Sequence, residues 1–189
     1  MNRNFITPAI ALTVLVIFGY FFYQYSVRED RPGENRSRLA NKHLEDGNYE
    51  EALNVFDEVI AASPEYRDAY LGRALTFMQM QEYDKSRMDF DRALALDKNF
   101  AAAYANRGIL NDRTGRYEDA MHDYRQAVAL NPELAEGPGW LWRFLRNIPE
   151  KPPSIADRAD YIEAQLKKPE AERLLRIPEI DEQQRMYKK

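Results

Sequence analysis

Cysteine is absent from the chain, so disulfides, cysteine-based zinc sites and thiol chemistry are excluded at once, although the absence does not fix the redox compartment. Histidine is almost absent too. His43 and His122 are the only two, and each reads as a structural or solvated side chain. Acidic runs such as Asp84, Asp89 and Asp91 have no histidine or cysteine companion at ligand spacing. No glycine-rich phosphate loop and no nucleophile elbow occur. The expectation is therefore a protein without catalytic residues, metal or cofactor. An excess of positive charge is also missing: 27 basic against 31 acidic residues leave a formal charge of −4, so nucleic acid is not an expected partner. Residues 33–134 carry 19 acidic and 13 basic side chains, whereas residues 135–189 carry 10 and 11. The acidic body would favour basic partners.

One long uncharged run is present, over residues 4–27, with residues 9–22 almost wholly apolar. As a helix, 24 residues would reach about 36 Å, enough for a hydrocarbon core of about 30 Å. Pro8 falls in the first turn, where it is tolerated, and Tyr20, Tyr23 and Tyr25 cluster at one end like an interfacial belt. A cleaved signal peptide requires small residues just before the cut, and residues 21–26 offer almost none. Residues 1–27 are thus expected to form an uncleaved single-pass anchor, contacting the membrane through residues 5–25. The α-amino group and Arg3 precede the run, and Arg28, Glu29, Asp30 and Arg31 cancel after it. That balance places the amino terminus inside and the rest outside, on the periplasmic face of the inner membrane if the chain is bacterial.

After a short linker at 28–32, residues 33–134 fall into three copies of one 34-residue pattern: 33–66, 67–100 and 101–134. Position 8 holds Ala40, Ala74 and Gly108, and position 20 holds Ala52, Ser86 and Ala120. Position 17 holds Tyr49, Tyr83 and Tyr117, and position 24 holds Phe56, Phe90 and Tyr124. Small residues at 8 and 20 let two antiparallel helices approach, and the aromatics fill the space around the contact. Gly47, Gln81 and Gly115 stand at the turn in position 15; Gly47 and Gly115 can take the left-handed conformation that ends a helix, and Pro64 and Pro132 mark the next break. Positions 7 and 23 hold Leu39 with Val55, Arg73 with Asp89, and Arg107 with Asp123, a covariation expected where the two helices of a pair meet.

These residues and their spacing resemble the tetratricopeptide repeat family. The resemblance implies an all-α solenoid of three helix pairs; with the uncharged run before it and the segments after it, the expected chain is all-α: an N-terminal transmembrane helix, the solenoid, a capping helix and a helical tail. It departs where Arg36 and Tyr70 replace a tryptophan at position 4 and where His43 and Asn111 replace an aromatic at position 11. It also implies that the first helix of each pair lines a concave groove, here through Asn41, Leu44, Leu71, Leu75, Met78, Ala105, Ile109 and Arg113. An apolar centre with polar margins suits an amphipathic helix or an extended apolar peptide. Family members that grip the carboxylate ends of chaperone tails use basic residues and asparagines at positions that here hold Ser37, Asn41, Gly72, Ala102 and Asn106. Only Asn41 fits, so a clamp of that type is not expected.

Beyond the repeats, residues 135–147 read as a capping helix over residues 119–130, and three prolines make 148–153 a linker. Ser154 offers an N-cap, with Asp157 three residues on and an apolar stripe at Ile155, Ala159, Ile162 and Leu166. Pro169 is expected to restart a short helix through Arg176. The tail, 154–189, reads as a separate docking element, able to fold back over the groove or to lie on a neighbouring subunit, with the neighbour favoured. The expected function is a membrane-anchored protein-interaction scaffold, an assembly factor or accessory subunit of a membrane or envelope complex. The alternative is a secreted peptide-binding adaptor freed of its N-terminal segment. An enzyme is the poorest reading.

Overall fold

A computed structural model describes residues 13–20, 33–137 and 152–176. Six helices occupy the repeats: α1 (Glu34–Glu45), α2 (Tyr49–Ala62), α3 (Arg67–Gln79), α4 (Tyr83–Leu96), α5 (Ala101–Arg113) and α6 (Tyr117–Leu130). A 3-10 turn follows at Pro132–Ala135, and a seventh helix, α7, spans Ile155–Leu166. Residues 13–20 are helical, with Val14, Leu15, Val16, Ile17, Phe18 and Tyr20 exposed. Among the described residues no helix is long and apolar enough to cross a membrane, and the rest of the expected anchor lies outside them.

The turn inside each pair follows one design. The amides of Gly47 and Asn48 donate to the carbonyls of Leu44 and His43, those of Gln81 and Glu82 to Met78 and Phe77, and those of Gly115 and Arg116 to Asp112 and Asn111. Each set closes a helix end through a left-handed residue, with φ of 80° at Gly47, 61° at Gln81 and 77° at Gly115. Gln81 is the one described non-glycine residue at positive φ, so the middle turn keeps the geometry of its neighbours at a steric cost.

Packing within the pairs follows the small residues. Ala40, Ala52, Ala74, Ser86 and Ala120 are fully buried, as are Phe56, Phe90 and Tyr124. Ser86 donates its hydroxyl to the Ala74 carbonyl at 2.8 Å, which satisfies a polar atom at the closest helix approach. Two glycines have no room for a side chain: a Cβ on Gly72 would lie 2.2 Å from Cζ of Phe56, and one on Gly108 would lie 2.6 Å from Cδ1 of Tyr124. Phe56 therefore reaches from α2 across to α3 and ties the first repeat to the second.

The tail departs from expectation. Instead of presenting its apolar stripe to a neighbouring subunit, α7 packs on α6, and Ile155, Ala159 and Ile162 join the core of the repeats. The face that residues 135–147 were expected to cover is thus packed by Ile155–Leu166; Gly137 has φ of 65°, and residues 138–151 lie outside the described set. Ser154 and Asp157 form a reciprocal capping box at the start of α7. After it, Glu170–Glu172 is a single 3-10 turn, and residues 173–176 run without helix where one was expected. The reason lies in the bonds this stretch makes back to α7: the Leu174 amide donates to Oε1 of Gln165, and Tyr161 donates to the Leu174 carbonyl at 2.6 Å. Those partners hold the backbone open. Residues 177–189, including the expected final turn, lie outside the described residues.

Candidate functional site

A groove of about 250 Å³ opens between α1 and α3 at the N-terminal end of the solenoid. Leu71 and Leu75 form its apolar part, Asn41 and Tyr66 its half-buried walls, and Glu34, Arg38 and Asp68 its polar margin. Arg38 donates to Glu34 at 2.8 Å, a pair one helical turn apart. Ser37 also lines the groove. It is 3% exposed, and its hydroxyl has no hydrogen-bond partner. A buried hydroxyl left unpaired is costly to the fold.

Of the expected groove residues, the structure brings Asn41, Leu71 and Leu75 together. Leu44, Met78, Ala105 and Ile109 are buried instead, with Met78 and Ile109 at 1% exposure. Leu75 is itself at 1%. The apolar centre is thus core and not an open concave face, because successive first helices, α1 on α3 and α3 on α5, pack directly on one another. Arg113 is half-buried at the end of α5 and does not reach the groove. At the other clamp positions Gly72 accommodates Phe56, Ala102 is half-buried and Asn106 donates back to the Ala102 carbonyl at 2.7 Å, so no cation faces the groove there.

Charge pairs knit the outer helices. Arg73 makes a two-pronged contact with Asp89 at 2.7 and 2.8 Å and also reaches Asp57 of the preceding repeat at 2.6 Å. Arg107 repeats the arrangement one copy later, with Asp123 at 2.9 and 2.7 Å and Asp91 at 2.6 Å, and Asn111 adds a bond to Asp123. The hydrogen bond to Asp89 raises the pKa of Arg73 above the usual arginine value against the opposing effect of burial. At Arg107 burial pushes downward most, but the bonds and charges of Asp123 and Asp91 outweigh it and the net shift is again upward. Both stay charged at any working pH, so they act as fixed fasteners between repeats.

The C-terminal end carries a network that the repeat pattern did not single out. Arg158 of α7 donates to both carboxylate oxygens of Asp112 at 2.7 Å, the two side chains being 4% and 2% exposed. It donates a further bond to the Leu175 carbonyl, and Tyr124 donates to Asp112 at 3.2 Å. Arg125 pairs with Glu163 on the surface. A signal for these contacts was present: position 12 is Leu44, Met78 and then Asp112, position 24 is Phe56, Phe90 and then Tyr124, and position 25 is Asp57, Asp91 and then Arg125. Asp112 and Arg125 meet the tail directly, and Tyr124 supports Asp112 from within the repeat.

His43 is half-buried in α1 and His122 is exposed on α6. Among the described residues no cluster of three or more metal-ligating side chains forms.

Comparison with known proteins agrees with this architecture. Tetratricopeptide repeat models match residues 37–99 and 101–134, together about half of the chain. No curated protein sequence matches it. Among solved structures, the second repeat domain of Spaghetti (RPAP3) bound to HSP90 peptide SRMEEVD is 24% identical, with a TM-score of 0.51 over 53% of this chain and 94% of that one. The Arabidopsis OM64 repeat domain is 25% identical, with a TM-score of 0.52 over 54% of this chain and 84% of that one. MamA shares the fold at 19% identity, with a TM-score of 0.51 over 60% of this chain and 67% of that one. With its three helix pairs, its recurrent turns and these matches, the chain belongs to the tetratricopeptide repeat family.

Proposed function

We propose that this protein is a membrane-anchored interaction scaffold, an assembly factor or accessory subunit of a membrane or envelope complex. The groove between α1 and α3 would receive a segment of a protein partner. The observation that carries the reading is the groove itself, an open cleft of about 250 Å³ between α1 and α3 lined by Asn41, Tyr66 and Leu71. Repeat domains of this fold bound to HSP90 peptide support a protein ligand in general. The ligand here would differ in kind. Glu34, Asp68 and Arg38 border the groove, with Glu34 paired to Arg38, and the clamp positions carry no cation, so a segment with a basic flank fits better than an acidic chain end. The uncharged run at 4–27, of which residues 13–20 are an exposed apolar helix, supports anchoring, with the repeats on the periplasmic side in a bacterial cell.

Affinity purification from gently solubilised membranes tests the groove. Asn41→Arg places a bulky cation in it and should abolish capture of the partner while costing about 1 kcal/mol of stability or less, as is typical of a point substitution; retention of the partner would move the binding face elsewhere. The anchor is tested by alkaline carbonate washing and intact mass. The protein should stay with membranes and keep its first 27 residues, whereas a soluble chain starting near Arg28 would indicate a secreted adaptor.

A further inference from the structure

On the edge formed by the turns, away from the groove, a cleft of about 480 Å³ opens between the second and third repeats. Two arginines line it. Arg87 of α4 is half-buried, and Arg116 stands in the turn before α6; neither guanidinium has an ion-pair or hydrogen-bond partner within the described structure. Arg87 is out of pattern, since position 21 is Leu53 in the first copy and Met121 in the third. Burial lowers its pKa most, and the charge of Arg116 lowers it further, against weaker support from Asp91 and Asp119. Arg73 and Arg107 are tied to aspartates, whereas Arg87 and Arg116 line this cleft together. Among the other charges of the lining, Glu82 is taken by Lys85, and Asp84 is exposed.

We propose that this cleft is an oxyanion site for a phosphate monoester or free phosphate, held by the planar forks of Arg87 and Arg116. Guanidinium forks match phosphate geometry, and a group carrying about −1.5 to −2 charges relieves the repulsion between two cations better than a single carboxylate does. Gln81 also lines the cleft and supplies a neutral hydrogen-bonding amide, whereas the Thr114 hydroxyl already donates to the Leu110 carbonyl at 2.8 Å. The volume lies within the usual range of about 300–1,000 Å³ for ligand sites.

The test uses the full chain in detergent micelles, titrated at constant ionic strength with inorganic phosphate, phosphoserine or acetate while the arginine Nε–Hε resonances are followed. Phosphate should shift Arg87 and Arg116 saturably, acetate should bind about tenfold more weakly, and Arg87→Gln should lose about tenfold or more in phosphate affinity while Arg113→Gln loses none. Tighter binding of phosphoserine than of phosphate would locate the source on a modified protein, and the reverse order would locate it on a free anion. In the absence of anion, Arg87→Gln should melt no lower than the parent because it relieves repulsion. No saturable shift, an undiminished shift in Arg87→Gln, or a marked fall in its Tm would overturn the assignment.

Discussion

Leu44, Phe56 and Asp57 occupy positions 12, 24 and 25 of the first repeat; Asp112, Tyr124 and Arg125 occupy them in the third. The two ends of the solenoid differ accordingly. At the first, the apolar and acidic residues serve the next repeat: Phe56 fills the hollow left by Gly72, and Asp57 accepts from Arg73. At the last, no fourth repeat follows among the described residues, and the same positions turn polar or change sign to receive α7 through Arg158 and Glu163. A terminal repeat must be covered, and this chain covers its C-terminal one with its own tail. Its N-terminal end keeps an open groove with an unpaired Ser37. Among the described residues, one end is packed by the chain's own tail and the other keeps a groove.

The largest expected effect breaks the closed end. Arg158→Ala would strand the buried carboxylate of Asp112, and loss of one member of such a pair costs about 3–5 kcal/mol, read from chemical unfolding. The pair Asp112→Leu with Arg158→Leu should recover most of that loss, because position 12 is apolar in the other two copies. Failure of the double variant to recover would mean that the ion pair fixes the tail in a way an apolar contact cannot.

Gly72→Ala comes next and attacks the junction of the first two repeats. Its Cβ would meet the Phe56 ring at 2.2 Å, and overpacking of this kind costs about 1–3 kcal/mol. The same substitution at Gly47, where nothing approaches the Cβ, is disfavoured by backbone strain alone. Gln81→Gly works the other way: relief of the left-handed strain should stabilise the fold by less than about 1 kcal/mol in thermal melts.

The smallest effect concerns pH. Hydrogen bonds from Lys167 first and Arg125 second hold the Glu163 carboxyl below its usual pKa. A depressed carboxylate contributes stability that is present above its unfolded pKa and is lost as pH falls through the lower folded one. Unfolding midpoints should therefore fall slightly more on acidification in the parent than in Glu163→Gln. The pair is exposed, so salt should erase the difference.

The repeat boundaries, the turn at position 15 and the small-residue contacts were legible in the sequence because each is a local requirement repeated at a fixed spacing. Gln81 was legible by position despite its residue type, since its flanking turns fix the backbone. The charge pairs of Arg73 and Arg107 were visible as covariation between copies. What the repeat pattern did not yield was how closely successive first helices approach. That approach buried Met78 and Ile109, which the family resemblance assigned to an open face, and a glutamate at Leu75 or Ile109 would now enter the core. The docking of α7 was encoded in Asp112, Tyr124 and Arg125, but a departure from a repeat names no partner until the tail is folded against it.

The most direct measurement of the account is the thermal stability of a chain ending after residue 153, compared with the full chain under the same conditions. Removal of 154–189 takes Ile155, Ala159 and Ile162 from the core and leaves Asp112 without Arg158. The account predicts a Tm lowered by several degrees or more, with a broadened transition as α6 loses its cover. A truncated chain that melts at the same temperature as the parent would contradict it, because the C-terminal end would then need no cover from its own tail.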